Sequence, residues 1–257
     1  AEFFDPQVGI EALSRLQVEA DIRAGLQASE FAPWFQPIVD LPSGKVAGYE
    51  ALVRWLRPDG PVDAWRFLPV AERGMLITEL DLTVLPAALS RLAEASEGTF
   101  MAINVAAATL CRPTYADEVL AAAAAAGVSL SRLHLEVTET ALLDVTPQVR
   151  DAMERLAAAG ASWYVDDFGT GYSSISHLRD LPIAGLKLDR SFVAGIESGD
   201  VTCIKLADGL VGLADGLRLD TVAEGIEVQE QADLLAEQGW AHGQGWLYGR
   251  PAPELAG

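Results

Sequence analysis

Most of the short apolar runs in this chain carry or end on a polar residue that a buried strand does not need. Five of these polar residues are carboxylates and two are amides. The set consists of Glu50, Asn104, Glu136, Asp166, Asp167, Lys187, Glu224 and Gln244. Carboxylate and amide oxygens are hard ligands that suit Mg²⁺, Mn²⁺ or Ca²⁺ rather than zinc. If the runs are strands whose ends meet, these residues predict a site for divalent cations.

The adjacent pair Asp166 and Asp167 indicates two cations, because one carboxylate can bridge two ions while its neighbour binds one of them. Two ions roughly 3.5–4 Å apart would polarise a phosphate and activate a water for in-line attack on phosphorus. Each polar residue taken alone is also compatible with an ordinary strand end that a loop amide satisfies. Five carboxylates on one rim, however, would raise one another's pKa values, and bound cations relieve that repulsion.

Lys187 is the cation of this set, and its position in the sequence leaves two roles open. It either contacts the attacking water or the phosphate, or it forms a structural salt bridge among the carboxylates. Segment 167–174 directly follows the aspartate pair, and its glycines and hydroxyl side chains are typical of a mobile loop that covers a site. Glu139 either anchors that loop or is a carboxylate favoured by a helix N-terminus.

Eight short apolar runs alternate with helical patterns over most of the chain. The runs span 34–39, 46–52, 100–105, 133–137, 162–165, 185–188, 219–223 and 240–243, and the helical patterns span 6–29, 64–73, 79–95, 116–126, 147–159, 202–215 and 228–238. This alternation indicates βαβ units, and about eight strands in one domain indicate a closed barrel. The turn at 41–45 is too short for a crossover helix, so the first two strands are expected to be antiparallel. We therefore predict an α/β fold, a modified TIM (β/α)8 barrel with one antiparallel strand near the N-terminus.

The composition limits the function further. The 257 residues include 37 acidic and 18 basic side chains, which gives a formal net charge of −19. A broad nucleic-acid-binding surface needs clustered lysine and arginine, so we do not expect binding to DNA. No apolar run is long enough to span a bilayer, and we expect no membrane contact by this domain. The two cysteines fit neither a disulfide framework nor a zinc site, which favours a cytoplasmic location.

The polar residues lie in an ordered series of sequence blocks. The blocks are Gln36-Pro37-Ile38, Glu50-Ala51-Leu52, Ile103-Asn104-Val105, Glu136-Val137-Thr138-Glu139, Asp166-Asp167-Phe168-Gly169, Leu186-Lys187-Leu188, Ala223-Glu224-Gly225-Ile226-Glu227 and Gln244-Gly245. Over 31–251 they resemble the motifs of the EAL-domain family of cyclic di-GMP phosphodiesterases. Segment 59–65 departs from the family pattern, because it is compressed and lacks the usual residues.

The resemblance implies hydrolysis of cyclic di-GMP to linear pGpG with two divalent cations, Mg²⁺ or Mn²⁺. The implied metal ligands are Glu50, Asn104, Glu136, Asp166, Asp167 and Glu224. The implied catalytic residues are Glu50, Lys187, Glu224 and Gln244, with Lys187 and Gln244 close to the attacking water. Gln36 and Arg54 are implied substrate contacts. Glu139 is implied to order the loop, and Glu227 to support the metal ligands.

The resemblance also implies a homodimer and an upstream sensory or GGDEF domain in the full-length protein. We divide the chain into an N-terminal helix or linker tail, 1–30, and the phosphodiesterase barrel, 31–257. Two other functions stay open. One is a catalytically inactive cyclic di-GMP receptor, because members of the family that lose a ligand become binding modules. The other is a hydrolase of a different phosphodiester on the same barrel.

Overall fold

The computed structural model describes residues 6–143, 145–169 and 179–255, with side chains from Leu16 onward. The strands are β1 (Phe31–Asp40), β2 (Val46–Arg57), β3 (Gly60–Asp63), β4 (Phe100–Asn104), β5 (Leu133–Thr138), β6 (Ser162–Phe168), β7 (Ile183–Leu188), β8 (Asp220–Ala223) and β9 (His242–Gln244). The helices are α1 (Pro6–Gln27), α2 (Leu68–Arg73), α3 (Ile77–Glu94), α4 (Ala107–Leu110), α5 (Tyr115–Ala126), α6 (Pro147–Ala158), α7 (Arg190–Glu197), α8 (Val201–Leu217) and α9 (Gln229–Gln238). Short 3₁₀ helices cover Ala64–Arg66, Leu130–Arg132 and Glu139–Leu142.

Eight of the described strands close into a barrel in the order β1-β2-β4-β5-β6-β7-β8-β9, and β9 pairs with β1. Strand β1 is antiparallel to both of its neighbours, β2 and β9. The other neighbouring pairs of the barrel are parallel over the described residues. The predicted fold class, a modified TIM barrel with one antiparallel strand near the N-terminus, is therefore confirmed.

Strand β3 lies outside the barrel, antiparallel to the end of β2, and the sequence patterns do not predict it. Its four residues include Gly60 and Pro61, which weaken any strand pattern. Helices α4 and α7 are also missing from the prediction, because four and eight residues give little helical periodicity. The predicted helix at 64–73 is divided into a 3₁₀ helix and α2, which begins next to Pro69.

The barrel interior has two polar levels, because alternate residues of a strand point to the same face. On β5, Glu136 and His134 both point into the barrel, with Glu136 nearer the carboxyl end of the strand and His134 nearer the amino end. On β6, Asp166 and Tyr164 are placed in the same way. We call the level at the carboxyl ends the acidic centre, comprising Glu50, Asn104, Glu136, Asp166, Asp167, Lys187, Glu224 and Gln244. We call the opposite level the floor, comprising Phe100, His134, Tyr164, Asp220 and His242.

Two glycines leave room for the rings of the floor. A Cβ atom at Gly48 would lie 2.4 Å from the ring of Phe100, and one at Gly185 would lie 2.3 Å from the ring of Tyr164. The ring centroids of Phe100 and His134 are 4.0 Å apart, and those of His134 and Tyr164 are 4.5 Å apart. The floor therefore closes the amino end of the barrel with a continuous stack of rings.

Helices cover the outside of the barrel and bury one large apolar core, which includes Leu89, Leu133 and Trp163. Arg132 joins the start of β5 to the end of α3. Its guanidinium donates hydrogen bonds to the carbonyls of Ser96, at 2.8 Å, and of Thr99, at 2.8 Å. These bonds satisfy polar backbone groups beyond a helix C-terminus that would otherwise lack partners.

Helix α1 packs against the barrel through a smaller apolar cluster that contains Ile22, Trp55 and Phe67. Leu16, which the periodicity predicts for the apolar face of this helix, is instead 63% exposed. Across the described ranges, no helix combines the length and the apolar composition needed to cross a membrane.

Candidate active site

Lys187 lies at the middle of the acidic centre and is fully buried. Its Nζ is 2.5 Å from Glu224 Oε1 and 2.8 Å from Glu136 Oε2. Two further carboxylate oxygens, Glu50 Oε2 and Asp166 Oδ1, lie 3.6 Å from the same nitrogen. Of the two roles left open for Lys187, the described structure contains the salt bridge. A role toward the attacking water stays a prediction.

One ammonium group does not neutralise four carboxylates. Burial raises the pKa of Glu136 well above its ordinary value and that of Glu224 to about 8, against the opposing attraction of Lys187. Burial would lower the pKa of Lys187, but the surrounding carboxylates raise it well above its usual value. The acidic centre therefore holds more carboxyl groups than its own lysine can keep ionised.

Amide side chains hold Glu50 in place. Asn104 Nδ2 donates to Glu50 Oε1 at 2.6 Å, and Gln244 Nε2 donates to Glu50 Oε2 at 2.6 Å. Burial raises the pKa of Glu50, but the charge of Lys187 and these two hydrogen bonds outweigh burial and leave the pKa lowered. Glu50 is therefore a charged oxygen donor in a fixed orientation.

Three carboxylates of the acidic centre are close enough to share a cation. Oxygens of Asp166, Asp167 and Glu224 lie within 4.8 Å of one another. The pKa of Asp167 is raised to about 6, because it is partly desolvated and lies beside the charges of Asp166 and Asp189. An oxygen-only donor set with surplus negative charge fits Mg²⁺, Mn²⁺ or Ca²⁺.

Asp167 has a positive φ of 54°, which is uncommon for a residue with a side chain. Its amide donates to Asp166 Oδ1 at 3.0 Å, so the backbone conformation is tied to the neighbouring carboxylate. Strained backbone of this kind persists where the surrounding structure enforces it, often at functional sites.

Glu139 and Gly169 connect the acidic centre to the segment predicted as a loop. The buried Glu139 Oε2 accepts a hydrogen bond from the Gly169 amide at 3.2 Å. This contact involves the first glycine of segment 167–174, as the predicted anchor requires. Residues 170–178 lie outside the described residues, so the ordering of the whole loop by Glu139 stays a prediction.

Two cavities adjoin the acidic centre, and both are lined by Glu50, Leu52 and Asp166. The first has a volume of about 340 Å³. Its apolar wall consists of Leu52, Val53, Ala64, Leu68, Ile77, Leu80 and Val84. The second has a volume of about 280 Å³ and a polar wall. That wall includes Gln36, Arg190, Glu224, Glu227 and Gln244, with Trp246 beside them. We call the two cavities together the cleft; the carboxylates Glu50 and Asp166 line both of its parts.

The structure brings together most of the predicted site residues. Gln36 lies in the second cavity, where its Oε1 accepts from Gln244 Nε2 at 3.2 Å. Glu227 lines the same cavity. Arg54, like Lys187 and Glu139, lines neither of the two cavities, and it pairs with Asp63 at the edge of the barrel.

Some residues of the cleft have no counterpart in the predictions. Asp81 lines the first cavity and accepts hydrogen bonds from the Ala106 amide, at 3.0 Å, and from Thr109 Oγ1, at 2.6 Å. Burial raises the pKa of Asp81 to about 6. In the sequence Asp81 is one of several polar residues of a predicted helix, and nothing local distinguishes it. Trp246 is 54% exposed, and the Arg250 guanidinium lies 4.2 Å from the centre of its ring.

Comparison with known proteins identifies the family to which the chain belongs. The model of the EAL domain matches residues 19–251. The chain belongs to the EAL domain family. This assignment confirms the family resemblance found in the sequence.

Among curated proteins, the chain is 38% identical over 261 residues to the cyclic di-GMP phosphodiesterase NbdA of Pseudomonas aeruginosa. That match covers 100% of this chain and 33% of NbdA. The chain is also 38% identical over 221 residues to the cyclic di-GMP phosphodiesterase PA2567 of the same organism, covering 84% of this chain and 38% of PA2567. The chain thus spans about a third of the length of the curated relatives it matches.

Among solved structures, the complex of the PaMucR phosphodiesterase with c-di-GMP superposes on this EAL domain with a TM-score of 0.87. The two chains are 33% identical, and the match covers 92% of this chain and 98% of PaMucR. The barrel described above is therefore the architecture of a protein solved with c-di-GMP bound.

Proposed function

We propose that this EAL domain is a cyclic di-GMP phosphodiesterase that hydrolyses its substrate to linear pGpG. The observation that carries the proposal is the acidic centre, whose oxygen donors hold more negative charge than Lys187 compensates. The relatives NbdA and PA2567, both cyclic di-GMP phosphodiesterases, support the choice of substrate. A ligand with two purine bases and two phosphates also suits a cleft of two cavities that share the carboxylates Glu50 and Asp166.

Two divalent cations, Mg²⁺ or Mn²⁺, complete the proposed site. The residues that would hold them are Glu50, Asn104, Glu136, Asp166, Asp167 and Glu224. When bound, the cations supply charge compensation and the Lewis acidity that activates a water for in-line attack on phosphorus. The raised pKa values of Glu136 and Glu224 support this assignment. Burial disfavours the ionised form of both carboxyl groups, and bound cations would favour it.

The chain's own residues orient the reacting groups. Lys187, fixed between Glu136 and Glu224, keeps a positive charge where negative charge develops on the phosphate and water. Gln244 joins Gln36 to Glu50 through its amide nitrogen, so it aligns a substrate contact with a metal ligand. In the same proposal Arg54 contacts a phosphate, Glu139 orders the loop and Glu227 supports the metal ligands.

The test is turnover of purified protein with cyclic di-GMP and Mg²⁺ or Mn²⁺, followed as pGpG by chromatography. A panel with linear dinucleotides and cyclic mononucleotides measures specificity. Appearance of pGpG supports the proposal. Tight binding of cyclic di-GMP without hydrolysis in either metal would instead assign the function of an inactive receptor. Hydrolysis of a different phosphodiester, with none of cyclic di-GMP, would assign a hydrolase of that other substrate.

We also propose that the chain acts as a homodimer within a longer protein that carries a sensory or GGDEF domain upstream, with residues 1–30 as an N-terminal helix or linker tail. The length of the curated relatives, about three times that of this chain, supports further domains. Light scattering combined with the turnover assay over a range of protein concentrations tests the dimer. A constant monomeric mass with constant specific activity would contradict it.

A further inference from the structure

The guanidinium of Arg54 is held on three sides. Strands β2 and β3 pair so that Arg54 lies directly opposite Asp63. Arg54 Nε is 3.2 Å from Asp63 Oδ1, and Nη1 donates to the Val53 carbonyl at 3.0 Å. The guanidinium carbon lies 5.8 Å from the ring centre of Trp34. Only 10% of the Arg54 side chain is exposed, so these contacts determine the direction in which its remaining donors point.

The contacts leave one nitrogen of the fork available. Arginine has five N–H donors in a fixed plane; the Val53 carbonyl accepts from one hydrogen of Nη1, and Asp63 forms an ion pair on the Nε side. Within the described part of the chain, Nη2 has no hydrogen-bond partner. A planar edge with free donors matches the oxygens of a phosphate. Val53 and Ala64, the chain neighbours of Arg54 and Asp63, line the first cavity, so this pair lies next to the cavity wall.

We propose that Asp63 is a positioning residue for substrate binding, which rests on the proposed phosphodiesterase function. Through its ion pair on the Nε side, Asp63 holds the guanidinium plane so that the Nη2 edge is presented to a phosphate oxygen of cyclic di-GMP. Arg54 then binds without first losing the freedom of a long side chain, and such preorganisation strengthens binding. Segment 59–65, which departs from the family pattern, thereby acquires a role specific to this chain.

The negative charge of Asp63 has an opposite effect, because it repels an anionic substrate. The Asp63 side chain is 57% exposed, so water and salt screen this repulsion. Arg54, in contrast, is almost buried, and its orientation depends on the few atoms that contact it. We therefore expect orientation to outweigh repulsion.

The test compares the Asp63→Ala and Asp63→Asn variants in the turnover assay. Ala removes the carboxylate that pairs with Nε, and we expect KM to rise about fivefold while kcat changes by less than about twofold. Asn keeps an oxygen acceptor without the charge, and we expect its KM to stay within about twofold of the unmodified protein. Asp59→Ala is the matched control, because Asp59 is exposed on the same hairpin and has no ion pair among the described residues.

Three results would overturn the proposal. An unchanged or lowered KM in Asp63→Ala would show that Asp63 does not assist binding. Equal changes in the Ala and Asn variants would assign the effect to charge rather than orientation. An effect of Asp63→Ala that persists in an Arg54→Ala background would show that Asp63 does not act through Arg54.

A failure of the proposed function is separable from a failure of this inference. If the unmodified protein gives no pGpG, the phosphodiesterase proposal fails, and the same variants are compared by the Kd of cyclic di-GMP measured by calorimetry. The unmodified protein and Asp63→Asn are then expected to bind cyclic di-GMP with similar Kd values, and Asp63→Ala is expected to bind it more weakly. Melting temperatures of all variants show whether any of them is unfolded.

Discussion

Strand β5 gives Glu136 to the acidic centre and His134, two residues earlier on the same face, to the floor. Strand β6 does the same with Asp166 and Tyr164. In the acidic centre, four carboxylate oxygens lie within 3.6 Å of one ammonium nitrogen. In the floor, rings stack on one another and Tyr164 donates its hydroxyl proton to Asp220 Oδ2 at 2.7 Å. The same strands and the same alternation thus support two levels of opposite character.

The difference lies in how each level satisfies its buried polar groups. Burial raises the pKa of Asp220, but His242 and the Tyr164 hydroxyl outweigh burial and leave the pKa lowered, so the carboxylate of the floor is stabilised in its charged form by groups of the protein. In the acidic centre the pKa of Glu224 is raised to about 8, so its carboxylate lacks sufficient partners in the chain. A level that the protein satisfies alone contributes stability, whereas a level with surplus charge is suited to bind cations and an anionic substrate.

The largest expected effect is the loss of turnover in the Glu50→Ala variant. Glu50 is an oriented charged donor of the acidic centre, and its removal should lower kcat about a thousandfold or more. The melting temperature should fall moderately with the fold retained, because Asn104 and Gln244 lose the carboxylate to which they donate. Glu97→Ala, which removes an exposed carboxylate between α3 and β4, is the control and should keep full activity. Substantial turnover by Glu50→Ala would contradict the assignment of the acidic centre.

Divalent cations should raise the free energy of unfolding by binding to the acidic centre. Because cations compensate the surplus charge only in the folded protein, Mg²⁺ at about a hundred times its Kd should add about 2.7 kcal/mol to the free energy of unfolding. A chelator should remove both this increment and turnover. Measured by thermal or urea unfolding, the increment should be much smaller in Glu50→Ala. An equal increment in that variant would place the cations elsewhere.

The Tyr164→Phe variant should show the opposite pattern to Glu50→Ala. It deprives the partly buried Asp220 of a hydrogen bond and should lower the free energy of unfolding by about 1 kcal/mol, with kcat unchanged within about twofold. Tyr115→Phe is a matched control, because Tyr115 is also buried but its hydroxyl has no hydrogen bond among the described residues. Loss of activity without loss of stability in Tyr164→Phe would contradict the assignment of stability to the floor and of activity to the acidic centre.

The smallest expected effect is the pH dependence of the floor. His242 Nδ1 lies 3.4 Å from Asp220 Oδ2. Burial lowers the pKa of His242, but the contact with Asp220 and the charge of Asp40 outweigh burial, so the pKa is raised. His242 therefore adds stability that is complete below an unfolded pKa of about 6.5 and is lost as the pH rises through the folded pKa.

The measurement is the urea midpoint of the unmodified protein and of His242→Gln between about pH 5.5 and 8.5. The stability difference between them should shrink as the pH rises. A difference that stays constant would mean that His242 does not titrate with the fold.

The acidic centre could be predicted from the sequence because its residues occupy strand ends, and the topology of a barrel brings strand ends together. Glu50 and Lys187 lie more than a hundred residues apart, yet the order of the strands places them in one site. Asp63 and Asp81 could not be found in this way. The role of Asp63 depends on the pairing of β3 with β2, and that of Asp81 depends on a contact with the amide of Ala106.

The floor was also beyond the sequence patterns. The stack of His134 and Tyr164 depends on the relative register of β5 and β6 and on the space left by Gly185, and neither is a local property. Short elements such as β3 and α4 were missed because four residues carry too little periodic signal. Features that depend on the register between distant strands, or on how side chains pack, therefore cannot be predicted from local sequence patterns.

The direction of β1 determines where the preceding helix meets the barrel. Because β1 is antiparallel to β2, it starts at the end of the barrel that holds Gln36 and Glu50 and finishes at the floor, where Asp40 pairs with His242. A first strand parallel to the others would start at the floor. Helix α1 therefore joins the chain on the catalytic side, with Ile22 packed against Trp55, five residues beyond Glu50. A mechanical input carried by α1 would reach the acidic centre along a few residues of β2, without crossing the barrel.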